Sequence, residues 1–168
     1  LKKILLLSDT HSHLDERIIT YARQADEIWH AGDIGNLDVT DTLNSIKPLR
    51  AVYGNIDDDK ARRNFPLDLF FDCEQVKVYM THIGGYPERY NARTKQIIEA
   101  EQPQLFICGH SHILKVMYDK NNRVLHMNPG ACGTHGFHTV RTMLRFEING
   151  DKIEKLEVIE LGQRGKLK

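Results

Sequence analysis

The sequence predicts an α/β fold, a four-layer αββα sandwich of two mixed β-sheets flanked by helices, with residues 1–168 forming one domain. Three observations carry that expectation. Short apolar runs alternate with amphipathic stretches through the first half, the rhythm of parallel strands joined by helical crossovers. The last third changes to strand pairs around tight turns, which antiparallel sheets use. A chain of 168 residues is long enough to bury a full core. Two packed sheets with helices on their outer faces accommodate both halves.

Each element follows from its residues. "KILLL" (Lys3–Leu7) is a short apolar run and reads as a buried strand. In "DERIITYARQA", Ile18, Ala22 and Ala25 recur at helical spacing, with Asp15 placed as the N-cap. "EIWHAGD" is a second strand ending at a glycine. "DVTDTLNSI" sets Val39, Leu43 and Ile46 on one helical face, and "LRAVYGN" is a third strand, again ending at a glycine. "QVKVYMTH" alternates Val76, Val78 and Met80 as a strand; "YNARTKQIIEAEQ" is a helix stopped by Pro103; "QLFICGHSH" is a strand and its loop. "LKVMYDKNNRVLHMN" forms a hairpin around Asn121-Asn122. "TVRTMLRFEINGDKIEKLEVIEL" forms a second, turning at Asn149-Gly150. Val140, Thr142, Leu144, Phe146 and Ile148 alternate, so one face of that strand is expected to be buried and the other wet.

Composition narrows the function. Hydrophobic residues make up 40% and charged residues 27%, an ordinary balance for a soluble globular protein. The 23 basic and 23 acidic residues cancel, which argues against duplex nucleic acid as a partner. No apolar run reaches membrane-spanning length, and "KKILLL" is too short for a signal peptide. The chain opens on Leu rather than Met, which suggests a residue or two missing rather than a targeting segment. Cys73, Cys108 and Cys132 are too widely spaced for a disulfide frame or zinc knuckle. They are expected to be reduced thiols in a cytoplasmic protein, Cys108 buried at a strand end.

Polar residues mark the places where strands meet their loops: Asp9 and His11, Asp33, Asn55, His82, then His110 and His112. Loops at the carboxyl ends of parallel strands converge on one sheet edge, so residues a hundred apart can share one cleft. The set offers two carboxylates, an amide oxygen and four imidazoles. Mixed nitrogen and oxygen donors suit Mn, Fe, Ni or Zn better than Mg or Ca. Seven groups exceed the needs of one tetrahedral ion. They suit two divalent transition-metal ions roughly 3.5–4 Å apart that share a carboxylate and clamp a phosphoryl group. Ligands two apart in sequence cannot face one way on a helix, but they can at a strand end. Gly32, Gly54 and Gly109 are expected to permit the sharp turns that aim these groups.

The motifs "DTH", "GDIG", "GNID", "THIG" and "GHSH" stand in the order D-x-H, G-D, G-N, isolated His, G-H-x-H. This order resembles the calcineurin-like metallophosphoesterase superfamily and, within it, the small single-domain YfcE-like phosphodiesterases. The resemblance covers residues 9–112, and the later hairpins suit the family's second sheet. It implies that Asp9, His11 and His112 hold one metal ion, that Asn55, His82 and His110 hold the other, and that Asp33 bridges them. A water or hydroxide between the ions would be the nucleophile, manganese the first candidate metal. Asp33, Asn55, His82 and His110 would carry the catalysis, with Asn55 and His13 touching substrate. Many family members read G-N-H-[DE], and this sequence departs from them with Ile56 in place of the histidine. Isoleucine can neither protonate a leaving group nor bind phosphate.

Other residues have plainer readings. His30 and His126 are expected to be structural. His13 is a loop residue that could also stand in for the missing acid. His135 and His138, in "GTHGFH", could rim the cleft. "DDDKARR" (Asp57–Arg63) reads as a solvated helix start, with Arg62 or Arg63 as outside candidates for substrate phosphate; Tyr86 and Tyr90 read as packing groups. The expected activity is metal-dependent hydrolysis of small phosphate esters, diesters first. Its rivals are a scaffold module of the same fold, a phosphomonoesterase and a nuclease. The intact ligand set favours an enzyme over a scaffold, and the neutral charge counts against a nuclease. No membrane partner is expected, and homo-oligomerisation is left open.

Overall fold

In the computed structural model, which describes residues 1–166, the predicted alternation becomes two sheets. The chain runs β1 (Lys2–Leu7), α1 (Glu16–Gln24), β2 (Glu27–His30), α2 (Asp38–Ile46), β3 (Leu49–Ala51), α3 (Asp59–Asn64), β4 (Asp68–Cys73), β5 (Val76–Thr81), α4 (Ala92–Glu101), β6 (Leu105–Ile107), β7 (Leu114–Asp119), β8 (Val124–Pro129), β9 (Val140–Asn149) and β10 (Lys152–Gln163). One five-stranded sheet has the order β10-β9-β1-β2-β3, the other β4-β5-β6-β8-β7. β1, β2 and β3 are parallel, as are β5, β6 and β8; β9, β10, β4 and β7 pair antiparallel with their neighbours.

The sheets face each other. Ile4, Leu6, Trp29 and Phe146 from the first pack against Val78, Met80, Ile107 and Met127 from the second. Outside the first sheet, Leu5, Leu7 and Ile28 meet Ile18 and Ala22 of α1 and Val39 and Leu43 of α2. Outside the second, Tyr79 and Phe106 meet Ile98 of α4. Burying apolar surface on both faces of each sheet produces the four layers. Helix ends are set by the expected residues. Asp15 caps α1 by accepting a 3.1 Å hydrogen bond from the Ile18 N–H. After α4, Gln102 adopts a left-handed conformation just before Pro103. Among the described residues, no helix is long and apolar enough to cross a membrane.

The structure corrects three expectations. β9 is wet on one face only in its second half, where half-buried Arg145 and Glu147 alternate with buried Phe146 and Ile148; in its first half Arg141 and Met143 are buried along with Thr142 and Leu144, while Val140 is exposed. The strand lies between β1 and β10, and Met143 joins the layer under α1, so both faces are covered at that level. The second hairpin turns at Gly150-Asp151, because Asn149 pairs with Lys152. Only Gly150 of those two has positive φ, at 63°, the pattern of a type II′ turn. β4, unassigned from sequence, forms an edge strand beside β5, its apolar run being only "LFF". All three cysteines are free and buried, Cys108 among them.

His30 and His126 are structural, as expected, but they differ. His30 accepts from the Gly32 N–H at 3.1 Å and lies 3.0 Å from the Thr10 hydroxyl. His126 is fully buried beside Tyr86, Tyr90 and Phe106, and neither ring nitrogen has a protein partner. Burial holds each imidazole down at about 4. For a base with a depressed folded pKa, the unfolded chain takes up the proton first. Stability is therefore full above about pH 6.5 and falls toward pH 4, by about 3 kcal/mol for each histidine. His126→Phe should remove one of these two contributions. Urea midpoints of metal-free wild type and variant, compared from pH 7 to pH 4, should show the shallower fall in the variant; parallel curves would contradict the assignment.

Candidate metal centre

Asp9 and His11 follow β1, Asp33 follows β2, Asn55 follows β3, His82 follows β5, and His110 and His112 follow β6. Backbone hydrogen bonds stitch these loops together: Asp9 N–H to Gly32 O at 2.9 Å, His11 N–H to Asp33 O at 3.1 Å, and Gly109 N–H to His82 O at 2.9 Å. Five of these residues have left-handed backbones, with φ of 57° at Asp9, 45° at His11, 56° at Asp33, 73° at His110 and 63° at His112. A side chain in that conformation costs roughly 1–3 kcal/mol and persists only where surrounding structure enforces it. Such a concentration at one cleft marks a site built for chemistry.

The side chains form two groups, each with its ligand atoms within 4.8 Å of one another: Asp9, His11 and His112, and Asp33, His82 and His110. In the first, His112 Nε2 lies 3.1 Å from Asp9 Oδ1. Asn55 joins the second, its Oδ1 lying 3.0 Å from His110 Nδ1. Asp33 Oδ2 lies between the groups, 3.4 Å from His11 Nε2 and 3.3 Å from His82 Nε2.

His82 is the most informative. Its Nδ1 lies 2.7 Å from the Ala31 carbonyl, which can only accept, so Nδ1 carries the hydrogen. The Nε2 lone pair of the neutral ring then faces Asp33 Oδ2 at 3.3 Å and Asp9 Oδ1 at 3.8 Å. Three acceptors thus converge in a buried space, and a cation resolves the conflict. Asp9 Oδ1, His11 Nε2 and His82 Nε2 are all buried without a hydrogen-bond partner. The residues present therefore fit a metal. Burial alone would raise the Asp33 carboxyl, but the adjacent His11 and His82 imidazoles pull it well below the ordinary range. Burial opposes the charged form of His82, yet Asp33 and Asp9 raise its pKa. Both directions are those of a site that attracts positive charge.

Residues outside the expected set hold the ligands. The Ser8 hydroxyl donates to Asp9 Oδ2 at 2.5 Å, and the His110 N–H reaches the same oxygen at 3.2 Å. Asn128, after "HM" in β8, donates to Gly109 O at 3.0 Å and Ser111 Oγ at 3.1 Å, steadying the His110 loop. Asp57 corrects the reading of "DDDKARR" as solvated. Its buried carboxylate accepts from the Gly54 N–H at 2.7 Å, the Gly35 N–H at 2.9 Å and the Ile34 N–H at 3.1 Å. The helix begins only after it, capped by Asp58. Arg62 belongs to the same clamp, with Nε donating to Asp57 O at 2.9 Å.

The motif glycines also need correction. Gly32 does have positive φ, 102°, but Gly54 and Gly109 do not. They are glycine for want of room: a Cβ on Gly54 would overlap Asp33 Oδ1, and one on Gly109 would overlap Ser8 Oγ and approach Asp9 Oδ2 to 2.8 Å. Gly54→Ala is therefore expected to weaken metal binding about 10–100-fold, the usual effect of disturbing a ligand's support. Calorimetric titration with Mn²⁺ checks this, and an unchanged Kd would contradict it.

The cleft over these groups has a volume of about 440 Å³ and includes Asn55 and Ile56 in its lining. His13 is not brought to it; its Nε2 lies 2.9 Å from Asp15 beside the start of α1. His135 and His138 do reach it. The His135 ring lies on His11 with centroids 4.6 Å apart, and His138 meets His112 edge-on at 5.1 Å. Tyr86 and Tyr90 pack around His126, as expected of packing groups.

Comparison with known proteins agrees with this geometry. The model of the calcineurin-like phosphoesterase superfamily domain matches residues 3–151. A probable metallophosphoesterase of Methanothermobacter thermautotrophicus is 26% identical over 162 residues, covering 94% of this chain and 91% of its own. Among solved structures, an archaeal phosphodiesterase superposes with a TM-score of 0.68 at 18% identity, covering 95% of this chain and 99% of that one. Vps29 of Entamoeba histolytica, complexed with Zn²⁺, superposes with a TM-score of 0.72 at 15% identity, covering 94% and 98%. At these identities the two structures speak for the fold.

Proposed function

Because this chain belongs to the calcineurin-like phosphoesterase superfamily, we propose that it hydrolyses phosphodiesters at a centre of two divalent transition-metal ions. The observation that carries the reading is the buried convergence of the His82 Nε2 lone pair on the carboxylates of Asp33 and Asp9. Asp9, His11 and His112 would hold one ion, Asn55, His82 and His110 the other, and Asp33, lying between the groups, would serve both. Nitrogen and carboxylate donors suit manganese first, with iron, nickel or zinc as substitutes. Bound there, the ions would acidify a water and neutralise developing charge on phosphoryl oxygens.

The protein's own residues supply the rest. Ser8 and the His110 amide hold Asp9 in place, and Ala31 fixes the His82 tautomer. Among the described residues, the cleft lining contains no lysine or arginine. Arg62 lines the space on the other side of Asn55 and His82, not this cleft; within the cleft a monoester dianion would meet only imidazoles, whereas a diester carries one charge and two carbon substituents. With Mn²⁺ supplied, kcat/KM for bis(p-nitrophenyl) phosphate should exceed that for p-nitrophenyl phosphate by about tenfold or more. A preference for the monoester would contradict the reading.

Ile56 shapes the chemistry further. It lines the cleft next to Asn55 where many family members carry histidine, so no positioned acid stands at that place. A positioned acid contributes roughly 10²–10⁴-fold, most where the leaving group is a strong base. The rate should therefore fall steeply as leaving-group pKa rises across a series of diesters, and Ile56→His should flatten the slope. A flat wild-type line would show that another group already provides the proton.

A further inference from the structure

We infer that the loop around Phe137 forms, with Ile113 and Ile56, a subsite that binds a flat, uncharged aromatic ester arm of the substrate. The inference rests on the phosphodiesterase reading and specifies what surrounds the phosphate. Phe137 is 102% exposed, Ile113 58% and Ile56 45%, and all three line the same cleft as the metal-ligand candidates. Scattered exposed apolar residues mean little, but three around one opening are a patch.

The loop that carries Phe137 is anchored on both sides. His138 Nε2 lies 2.8 Å from the Gly133 carbonyl, and Arg164 Nε donates to His138 O at 2.8 Å. Gly136 has φ of 131° and sits so close to His112 that a Cβ would overlap its ring. The loop is thus pressed onto a proposed metal ligand, and Phe137 stands at the cleft mouth without an apolar partner of its own. Polar ligands make the floor, and three apolar side chains make the rim. A volume of about 440 Å³ leaves room for an organic arm besides the phosphoryl group. Among the described lining residues there is no lysine or arginine, so a second anionic group on that arm would meet only the His135 and His138 imidazoles. An aromatic ring suits this environment, because it can stack on Phe137 and pack against the two isoleucines.

The test is calorimetric binding of diphenyl phosphate and dimethyl phosphate to the Mn²⁺-loaded protein. The two share one charge and one phosphoryl centre. Wild type should bind the diphenyl ester about tenfold tighter or more. Phe137→Ala should lower that ratio to about threefold or less with metal content unchanged, and Phe137→Tyr should restore it. Equal binding of the two diesters by wild type, or an undiminished ratio in Phe137→Ala, overturns the inference. So does equal binding together with Phe137-dependent self-association in sedimentation, which would assign the rim to a second copy of this chain. Preferential binding without hydrolysis of bis(p-nitrophenyl) phosphate would defeat the catalytic reading and leave the subsite standing. Hydrolysis with an unaltered ratio would do the reverse, and binding of neither diester overturns both.

Discussion

Asp33→Ala should lower phosphodiester hydrolysis by about three orders of magnitude or more while leaving a folded protein. Among the described residues, Asp33 is the one carboxylate whose oxygen lies within 3.4 Å of a histidine from each ligand group. Its loss removes the shared ligand from both proposed ion sites. Electrostatic stabilisation by bound metals is worth several kcal/mol in the transition state, and each 1.36 kcal/mol is about tenfold in rate. The fold should survive, because Asp33 lies on a loop beyond β2 and, among the described residues, its side chain accepts one hydrogen bond, from the Ile56 N–H to Oδ1 at 3.1 Å, while its backbone bonds are kept by alanine. Circular dichroism should match wild type, metal content should fall, and turnover should not return with excess Mn²⁺. Near-normal turnover with Mn²⁺ supplied would show that the ligand assignment is wrong.

Asp57→Ala should act mainly on stability. Three backbone N–H groups, from Ile34, Gly35 and Gly54, point at one buried carboxylate. Each unsatisfied buried donor costs about 1–3 kcal/mol, less where water can enter the enlarged space. A loss of about 3–5 kcal/mol is expected in the urea-derived unfolding free energy of the metal-free protein. Metal affinity should fall as well, because these bonds tie the loop bearing Asp33 to the loop bearing Asn55. Asp57→Asn should lie between the two, since its amide oxygen can accept but its amino group opposes one of the donors. A change below about 1 kcal/mol in Asp57→Ala would mean the clamp contributes little.

The difference between Asp33 and Asp57 shows what the sequence could and could not disclose. Asp33 was legible because histidines, acids and an asparagine at strand ends are chemically unusual, and their order along the chain matched a known pattern. Asp57 works by accepting backbone hydrogens, and a run of three acids does not reveal which one turns inward. Gly54 and Gly109 were legible as glycines at turns, but the turn does not demand glycine, since neither has positive φ: carboxylate and hydroxyl atoms occupy the space a side chain would need. The helices at Ile18 and Val39 and the strands at Ile4 and Val76 followed directly from apolar spacing. β9 followed as well, with Thr142, Leu144, Phe146 and Ile148 buried, but the burial of Met143 on its other face did not, because it comes from residues more than a hundred positions earlier, such as Leu7 and Ile18. The left-handed backbones at Asp9, His11, Asp33, His110 and His112 leave no compositional trace, since non-glycine residues occupy them.

Elemental analysis of protein reconstituted with Mn²⁺ and freed of excess by gel filtration tests the central claim most directly. Two ligand groups sharing Asp33 predict two ions per chain; a single ion or none would contradict a dinuclear centre.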